Sequence, residues 1–162
     1  MSEYTISQVC PTDRTVLAQI DALLQQEGIR RDGNLDYICA MFDEDYHVIG
    51  TGSCFGNTLR CFAVSSDHQG EGLLNQIITH LIEVQCARGN LHLFLYTKVK
   101  SARFFGDLGF YEIARVEDTL VFMENRRDGF GAYLRALEKT KTGGKSAALV
   151  MNANPFTLGH QY

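Results

Sequence analysis

The 162 residues carry a formal net charge of −4, with 45% hydrophobic and 21% charged residues, which suits one ordinary globular domain large enough to bury a core. That balance lacks the basic footprint of a nucleic-acid binder, and no apolar run reaches the length of a membrane span. Met1-Ser2-Glu3-Tyr4 does not open a signal peptide. The five cysteines (Cys10, Cys39, Cys54, Cys61, Cys86) are odd in number and show no metal-ligand spacing. A reducing cytoplasm is therefore expected, with no nucleic acid, membrane or metal as partner.

In chain order, Tyr4 to Cys10 alternates as a first strand does, and Pro11-Thr12-Asp13 supplies turn and cap chemistry. Val16, Leu17, Ile20, Leu23 and Leu24 form the apolar stripe of a helix that Gly28 ends. Arg30 to Asn34 reads as a polar loop. Tyr37 to Phe42 and His47 to Thr51 read as a hairpin around Asp43-Glu44-Asp45, and Cys61 to Val64 as a buried strand. A helix follows, with Leu74, Ile77, Ile78, Leu81 and Ile82 on its apolar face, ending near Ala87-Arg88-Gly89. Leu91 to Tyr96 is a further strand, Ser101 to Leu108 a short helix closed by Gly109, and Tyr111 to Val116 with Thr119 to Met123 a last hairpin around Glu117-Asp118. Phe130, Tyr133, Leu134 and Leu137 mark another helix, and Lys139 to Lys145 has linker composition. No repeat is visible. The order predicts an α+β fold, a mixed and mostly antiparallel sheet with helices packed on it.

The most informative stretch is Asp67-His68-Gln69-Gly70-Glu71-Gly72, between the strand at Val64 and the helix that begins near Gly72. Glycines at a helix start remove the Cβ from the path of an approaching anion, and the first-turn N–H groups have no helical partner. With the macrodipole added, a pyrophosphate is the natural occupant. The plain alternative is a strand-to-helix turn whose glycines serve only the backbone.

Gln69-Gly70-Glu71-Gly72-Leu73-Leu74 resembles the acyl-CoA pyrophosphate loop of the GNAT acetyltransferases, usually Arg or Gln, two residues, Gly, one residue, then Gly or Ala. Ala102 to Phe110 resembles that superfamily's late helix with its Leu-Gly-Phe ending. The resemblance covers about residues 4 to 124 and implies the GNAT fold. It also implies a CoA-like ligand, with Phe62, Ala63 and Val64 offering backbone groups to pantetheine and Gln69, Gly70, Glu71, Gly72, Leu73, Leu74 and Asn75 holding the pyrophosphate. This sequence departs from the pattern in three places. Leu74 replaces the small last residue, and the asparagine frequent around Lys98 and Val99 is missing. Phe105 stands where the superfamily usually has the tyrosine that protonates a departing thiolate, and phenylalanine has no proton to give. Tyr96 and Glu71 are alternative acids, though they also read simply as an interfacial aromatic and a solvated charge, and Phe105 as a core aromatic. No catalytic residue is assigned.

Toward the other end, Ala147 to Ala153 reads as a new apolar strand, and Asn154-Pro155-Phe156-Thr157-Leu158-Gly159-His160 follows it. Thr157-Leu158-Gly159-His160 resembles the nucleotidyltransferase signature that follows the first strand of a Rossmann-like domain. It implies ATP contacts by Asn154, Pro155, Phe156, Thr157, Gly159 and His160. The expected organisation is a GNAT-like domain over 1–140, a linker over 141–146, and over 147–162 the truncated start of a nucleotidyltransferase domain belonging to a longer protein.

Together with Met123-Glu124-Asn125 and His92 to Lys98, these features resemble the citrate lyase ligases. That resemblance implies a bacterial cytoplasmic ligase that spends ATP to activate acetate as acetyl-adenylate. The acetyl group then passes to the thiol of a CoA-like prosthetic group on the citrate lyase acyl carrier subunit, with AMP and pyrophosphate as by-products. The residues present are expected to bind the CoA-like arm and to lack ligase activity on their own. An ordinary GNAT N-acetyltransferase using acetyl-CoA and a non-catalytic carrier-docking module are the alternatives.

Overall fold

The computed structural model describes residues 4–145 together with 147 and 148. In chain order the elements are β1 (Thr5–Gln8), α1 (Arg14–Gln26), β2 (Tyr37–Phe42), β3 (Val48–Phe55), β4 (Thr58–Val64), α2 (Leu73–Ala87), β5 (Phe94–Thr97), α3 (Ala102–Asp107), β6 (Tyr111–Val116), β7 (Leu120–Glu124) and α4 (Gly129–Glu138). The seven strands make one sheet in the order β1-β2-β3-β4-β5-β7-β6. Every neighbouring pair is antiparallel except β4–β5, which is parallel. The chain divides into two compact units with the boundary between Phe130 and Gly131, and all the strands belong to the first. The motif over Asn154–His160 lies outside the described residues.

Local chemistry explains the first helix. Asp13 caps α1 by accepting from the Val16 N–H at 3.0 Å, a contact worth about 1 kcal/mol. Ile20, Leu23 and Leu24 on its inner stripe are buried against Val9, Ala40 and Ala63. The opposite face of the sheet carries the larger core, where Leu73, Ile77, Ile78 and Leu81 of α2 meet Cys39, Met41, Leu59, Leu93 and Leu95. Phe105 is 1% exposed in that core, 5.1 Å from Phe62 between ring centroids and edge-on to Phe104 and Phe110.

The hairpin strand read from His47 to Thr51 is longer than its pattern suggested and runs through Gly50 and Gly52 to Phe55. Glycine weakens a strand, but here it admits α2. A Cβ on Gly52 would stand 2.7 Å from Ile77 Cγ2 and 2.9 Å from Leu81 Cδ1, and one on Gly50 would stand 2.6 Å from Ile77 Cδ1. The strand read from Leu91 is shorter at its start, beginning at Phe94. Leu91 remains 62% exposed there, outside the sheet.

Burial also sets the cysteine chemistry. Removal from water pushes the thiols of Cys39 and Cys54 from 9.0 up to about 12. Cys10 is exposed, and the Thr12 hydroxyl 3.0 Å from its Sγ holds that thiol below its ordinary value. Alkylation at pH 8 is expected to modify Cys10 first and to spare Cys39 and Cys54 until denaturant is added, as peptide mass mapping would read. Cys39 and Cys54 hold their protons more tightly folded than unfolded. Their contribution to stability is therefore whole below pH about 9 and falls as pH rises toward about 12. Urea midpoints that stay level across that interval would refute the assignment.

Candidate functional site: a groove where the sheet divides

β4 and β5 pair only at Thr58↔Phe94 and Leu59↔Leu95. Asn57 fastens this closed end, its carbonyl accepting from Phe94 N–H at 3.0 Å and its side-chain amide donating to the His92 carbonyl at 3.0 Å. Beyond Leu59 and Leu95 each strand keeps only its outer neighbour, β4 pairing with β3 to Val64 and β5 with β7 to Thr97. A bulge sits where they part. Thr51 pairs with Ala63 and Ser53 with Arg60, so Gly52 faces both Cys61 and Phe62, and Cys61 takes a left-handed φ of 49°. Bulges bend a strand and re-aim its side chains. This one sends Phe62 to the α2 core and Cys61 and Ala63 to the α1 core.

The divergence opens a groove of about 800 Å³ that is lined from both faces of the sheet. On the α2 side its walls include Phe62, Val64, Leu73, Leu74, Thr97, Phe104 and Phe105; on the α1 side they include Glu27, Gly28, Ile29, Cys61, Ala63, Tyr96, Lys98 and Leu120. Gln69, Gly70, Gly72 and Asn75 complete it at the start of α2. Gly70 and Gly72 have φ of 92° and 74°, and a Cβ built on either meets nothing within 4 Å. No side chain caps α2, whose first helical bond runs from Gln76 N–H to the Gly72 carbonyl at 3.2 Å. The N–H groups of Leu73, Leu74 and Asn75 precede that bond, so helix geometry gives them no partner within α2. An open concavity with first-turn amides and the positive end of a fifteen-residue helix has the make-up of an anion cradle. A diphosphate joined to an extended amide chain fits this donor set.

Of the ten residues expected to hold a CoA-like group, nine line the groove and Glu71 does not. The Glu71 carboxylate instead accepts from the Tyr4 hydroxyl at 3.0 Å, on the exposed surface. His68 lines the groove, its ring edge-on to Tyr4 at 5.8 Å, with Nδ1 buried and without a hydrogen-bond partner among the described residues. Burial pushes the Cys61 thiol up, so it is a poor thiolate. Among the described residues, no cluster of three or more His, Cys, Asp or Glu could hold a metal ion, and no helix is long and apolar enough to cross a membrane.

On the α1 side of the groove the sequence reading placed only Ala63 in the ligand site and noted Tyr96 only as an alternative acid. Tyr96 and Lys98 stand two apart in extended chain and so share a face, and this spacing is the signal that could have found them. The Tyr96 ring is 47% exposed and stacked on Phe122 at 4.5 Å. The Lys98 ammonium donates to the Glu27 carbonyl and lies 3.9 Å from Glu27 Oε2.

The architecture recurs among solved structures. An acyl-CoA N-acyltransferase from Pseudomonas aeruginosa matches with a TM-score of 0.63 at 15% identity, covering 76% of this chain and 100% of that one. A GNAT family N-acetyltransferase from Escherichia coli, in complex with CoA, matches at 0.58 and 18%, covering 79% and 84%. The fold is therefore that of the GNAT acyltransferases. Sequence narrows the kinship. The chain is 37% identical over 144 residues to the [citrate [pro-3S]-lyase] ligase of Klebsiella pneumoniae, covering 88% of this chain and 42% of the relative. It is 32% identical over 152 residues to that of Haemophilus influenzae, covering 93% and 45%. Residues 146–162 match the family model for the citrate lyase ligase C-terminal domain. The chain is thus a GNAT-fold relative of the citrate lyase ligases, and it spans less than half the length of the curated relatives it matches.

Proposed function

We propose that this chain holds the CoA-like prosthetic group of the citrate lyase acyl carrier subunit while its thiol is acetylated. The observation that carries the reading is the groove at the β4–β5 divergence, which ends on the left-handed glycines Gly70 and Gly72 at the start of α2. Pantetheine lies along Phe62, Ala63 and Val64, and the pyrophosphate rests on the amides from Gln69 to Asn75. In this proposal residues 1–140 are the arm-binding domain, 141–146 a linker and 147–162 the start of a nucleotidyltransferase domain whose ATP contacts include Asn154, Pro155, Phe156, Thr157, Gly159 and His160. That longer protein, in the bacterial cytoplasm, uses ATP and acetate to form acetyl-adenylate and transfers the acetyl group to the arm, releasing AMP and pyrophosphate.

The missing tyrosine agrees with this division of labour. In adenylate chemistry the leaving group is AMP, which needs no acid beside a thiolate, and at the tyrosine's position Phe105 is buried among aromatic rings. An ordinary acetyl-CoA:amine transferase is less favoured, because Lys98 and Lys100 line the groove and repel a cationic acceptor.

Calorimetry with CoA and dephospho-CoA tests the arm assignment. One-to-one binding is expected for both ligands, and no heat at millimolar ligand would remove the proposal. Acetyl transfer from acetyl-CoA to a polyamine or peptide panel would instead favour the amine transferase. Capture of apo carrier lacking its prosthetic group, indifferent to added CoA, would favour docking by protein surface.

A further inference from the structure

We infer that the α1-side mouth of the groove binds the nucleotide end of an acyl-adenylate, the mixed anhydride of a carboxylic acid and a nucleoside monophosphate. The inference rests on the reading that a thiol-bearing arm occupies the rest of the groove, and it adds the second reactant to the same cavity.

The first observation is a planar aromatic platform. Phe94 and Phe122 stack at 5.6 Å with 15° between their planes, and Tyr96 stacks on Phe122 at 4.5 Å and 20°. Tyr96, half exposed at the groove lining, offers that platform to a further flat ring, and a nucleobase is such a ring. The second observation is charge. Lys98 shares the face of Tyr96, and Lys100 also lines the cavity. The Glu27 carbonyl accepts from Lys98 without cancelling its charge, and the Glu27 carboxylate stands off at 3.9 Å with both side chains partly exposed, a weak pairing that a phosphate can replace. The third is continuity, because one cavity is lined by the Gly70–Gly72 corner on the α2 side and by Tyr96 and Lys98 on the α1 side. A base on Tyr96 and a phosphate at Lys98 bring the anhydride carbonyl to a thiol lying between the strands.

The transfer then balances simply. The thiol sulfur bonds to the acyl carbon and the bond from that carbon to the phosphate oxygen breaks. AMP leaves with that electron pair, and the thiol proton goes to water at the open mouth.

The test is calorimetry with AMP and with 5′-O-(N-acetylsulfamoyl)adenosine, on the chain alone and saturated with CoA. Both ligands are expected to bind with CoA present, the sulfamate more tightly. Tyr96→Leu and Lys98→Met should each weaken AMP by about tenfold and by more than they weaken CoA. Thermal melts confirm that each variant is folded, and a variant that fails to fold is replaced by Tyr96→Phe or Lys98→Gln. For Tyr96→Phe the expected loss is smaller than for Leu, because the ring remains. The inference is overturned if AMP shows no saturable binding, if CoA displaces AMP (which would put the adenosine in the arm's own site), or if neither substitution moves AMP affinity. Loss of CoA binding with AMP binding intact would instead remove the arm assignment alone.

Discussion

Replacing Gly72 with valine is expected to lower CoA affinity by at least about tenfold, equivalent to about 1.4 kcal/mol, while the protein stays folded. Gly72 stands directly before α2 with φ of 74°. A side chain there costs about 1–2 kcal/mol of left-handed strain. No protein atom lies within 4 Å of the added Cβ, so the Cβ itself costs the fold strain and no clash, and on the proposed reading the side chain enters space the ligand needs. Gly89 separates the two effects. It follows α2 with φ of 83°, and a Cβ there also meets nothing within 4 Å. Gly89→Val should lose similar stability and leave CoA binding unchanged. Thermal melts and calorimetry on the two variants decide the matter. Equal losses of CoA affinity in both would show that Gly72 acts through strain, and the cradle would lose its basis.

This corner was legible because its causes are local. Two glycines follow a strand, and an apolar stripe of helical period begins at once, so chain geometry alone places free amides there. The hairpin turns at Asp43-Glu44-Asp45 and Glu117-Asp118 were legible for the same reason, and Tyr46 and Asp118 take the left-handed φ that such turns require. The groove itself was not. It exists because the β4–β5 ladder stops after Leu59 and Leu95, a fact about pairing between strands more than thirty residues apart. The bulge at Cys61 was hidden as well, since a left-handed cysteine gives no glycine signal. The strand read from His47 passed through Gly50 but stopped at Thr51, short of Gly52, and the reason for both glycines lies in Ile77 and Leu81 across the interface. Phe105 read correctly as a core aromatic. Tyr96 was noticed as a phenol, but Lys98 drew attention for a missing asparagine and as the end of a family-like stretch, not as a groove cation.

Glu124→Ala is expected to cost about 3 kcal/mol of stability, the larger structural effect. His92 to Lys98 and Met123 to Asn125 stood out in the sequence as family-like fragments without a visible reason, and the fold supplies one. The Glu124 carboxylate, 3% exposed, meets His92 Nε2 at 2.5 Å and accepts from the Phe130 N–H at 2.9 Å as α4 begins. Its neighbour Asn125 accepts from the Leu93 N–H at 2.8 Å and donates to the Leu91 carbonyl at 3.2 Å. Gly129 leaves the room, since a Cβ there would stand 2.5 Å from Glu124 Oε2 and 2.7 Å from the His92 ring. Removing the carboxylate strands a half-buried imidazole and opens the first turn of α4. Burial, and not distance, sets the size of the effect. The Arg115–Glu112 pair is almost as short at 2.6 Å, but its side chains are 38% and 40% exposed, so Glu112→Ala should change stability by no more than about 0.5 kcal/mol. Urea denaturation of both variants, with a His92→Ala, Glu124→Ala cycle to isolate the coupling, checks the ranking. Equal losses at Glu124 and Glu112 would mean that the clasp of Glu124 on His92 and the Phe130 N–H does not stabilise the end of β7.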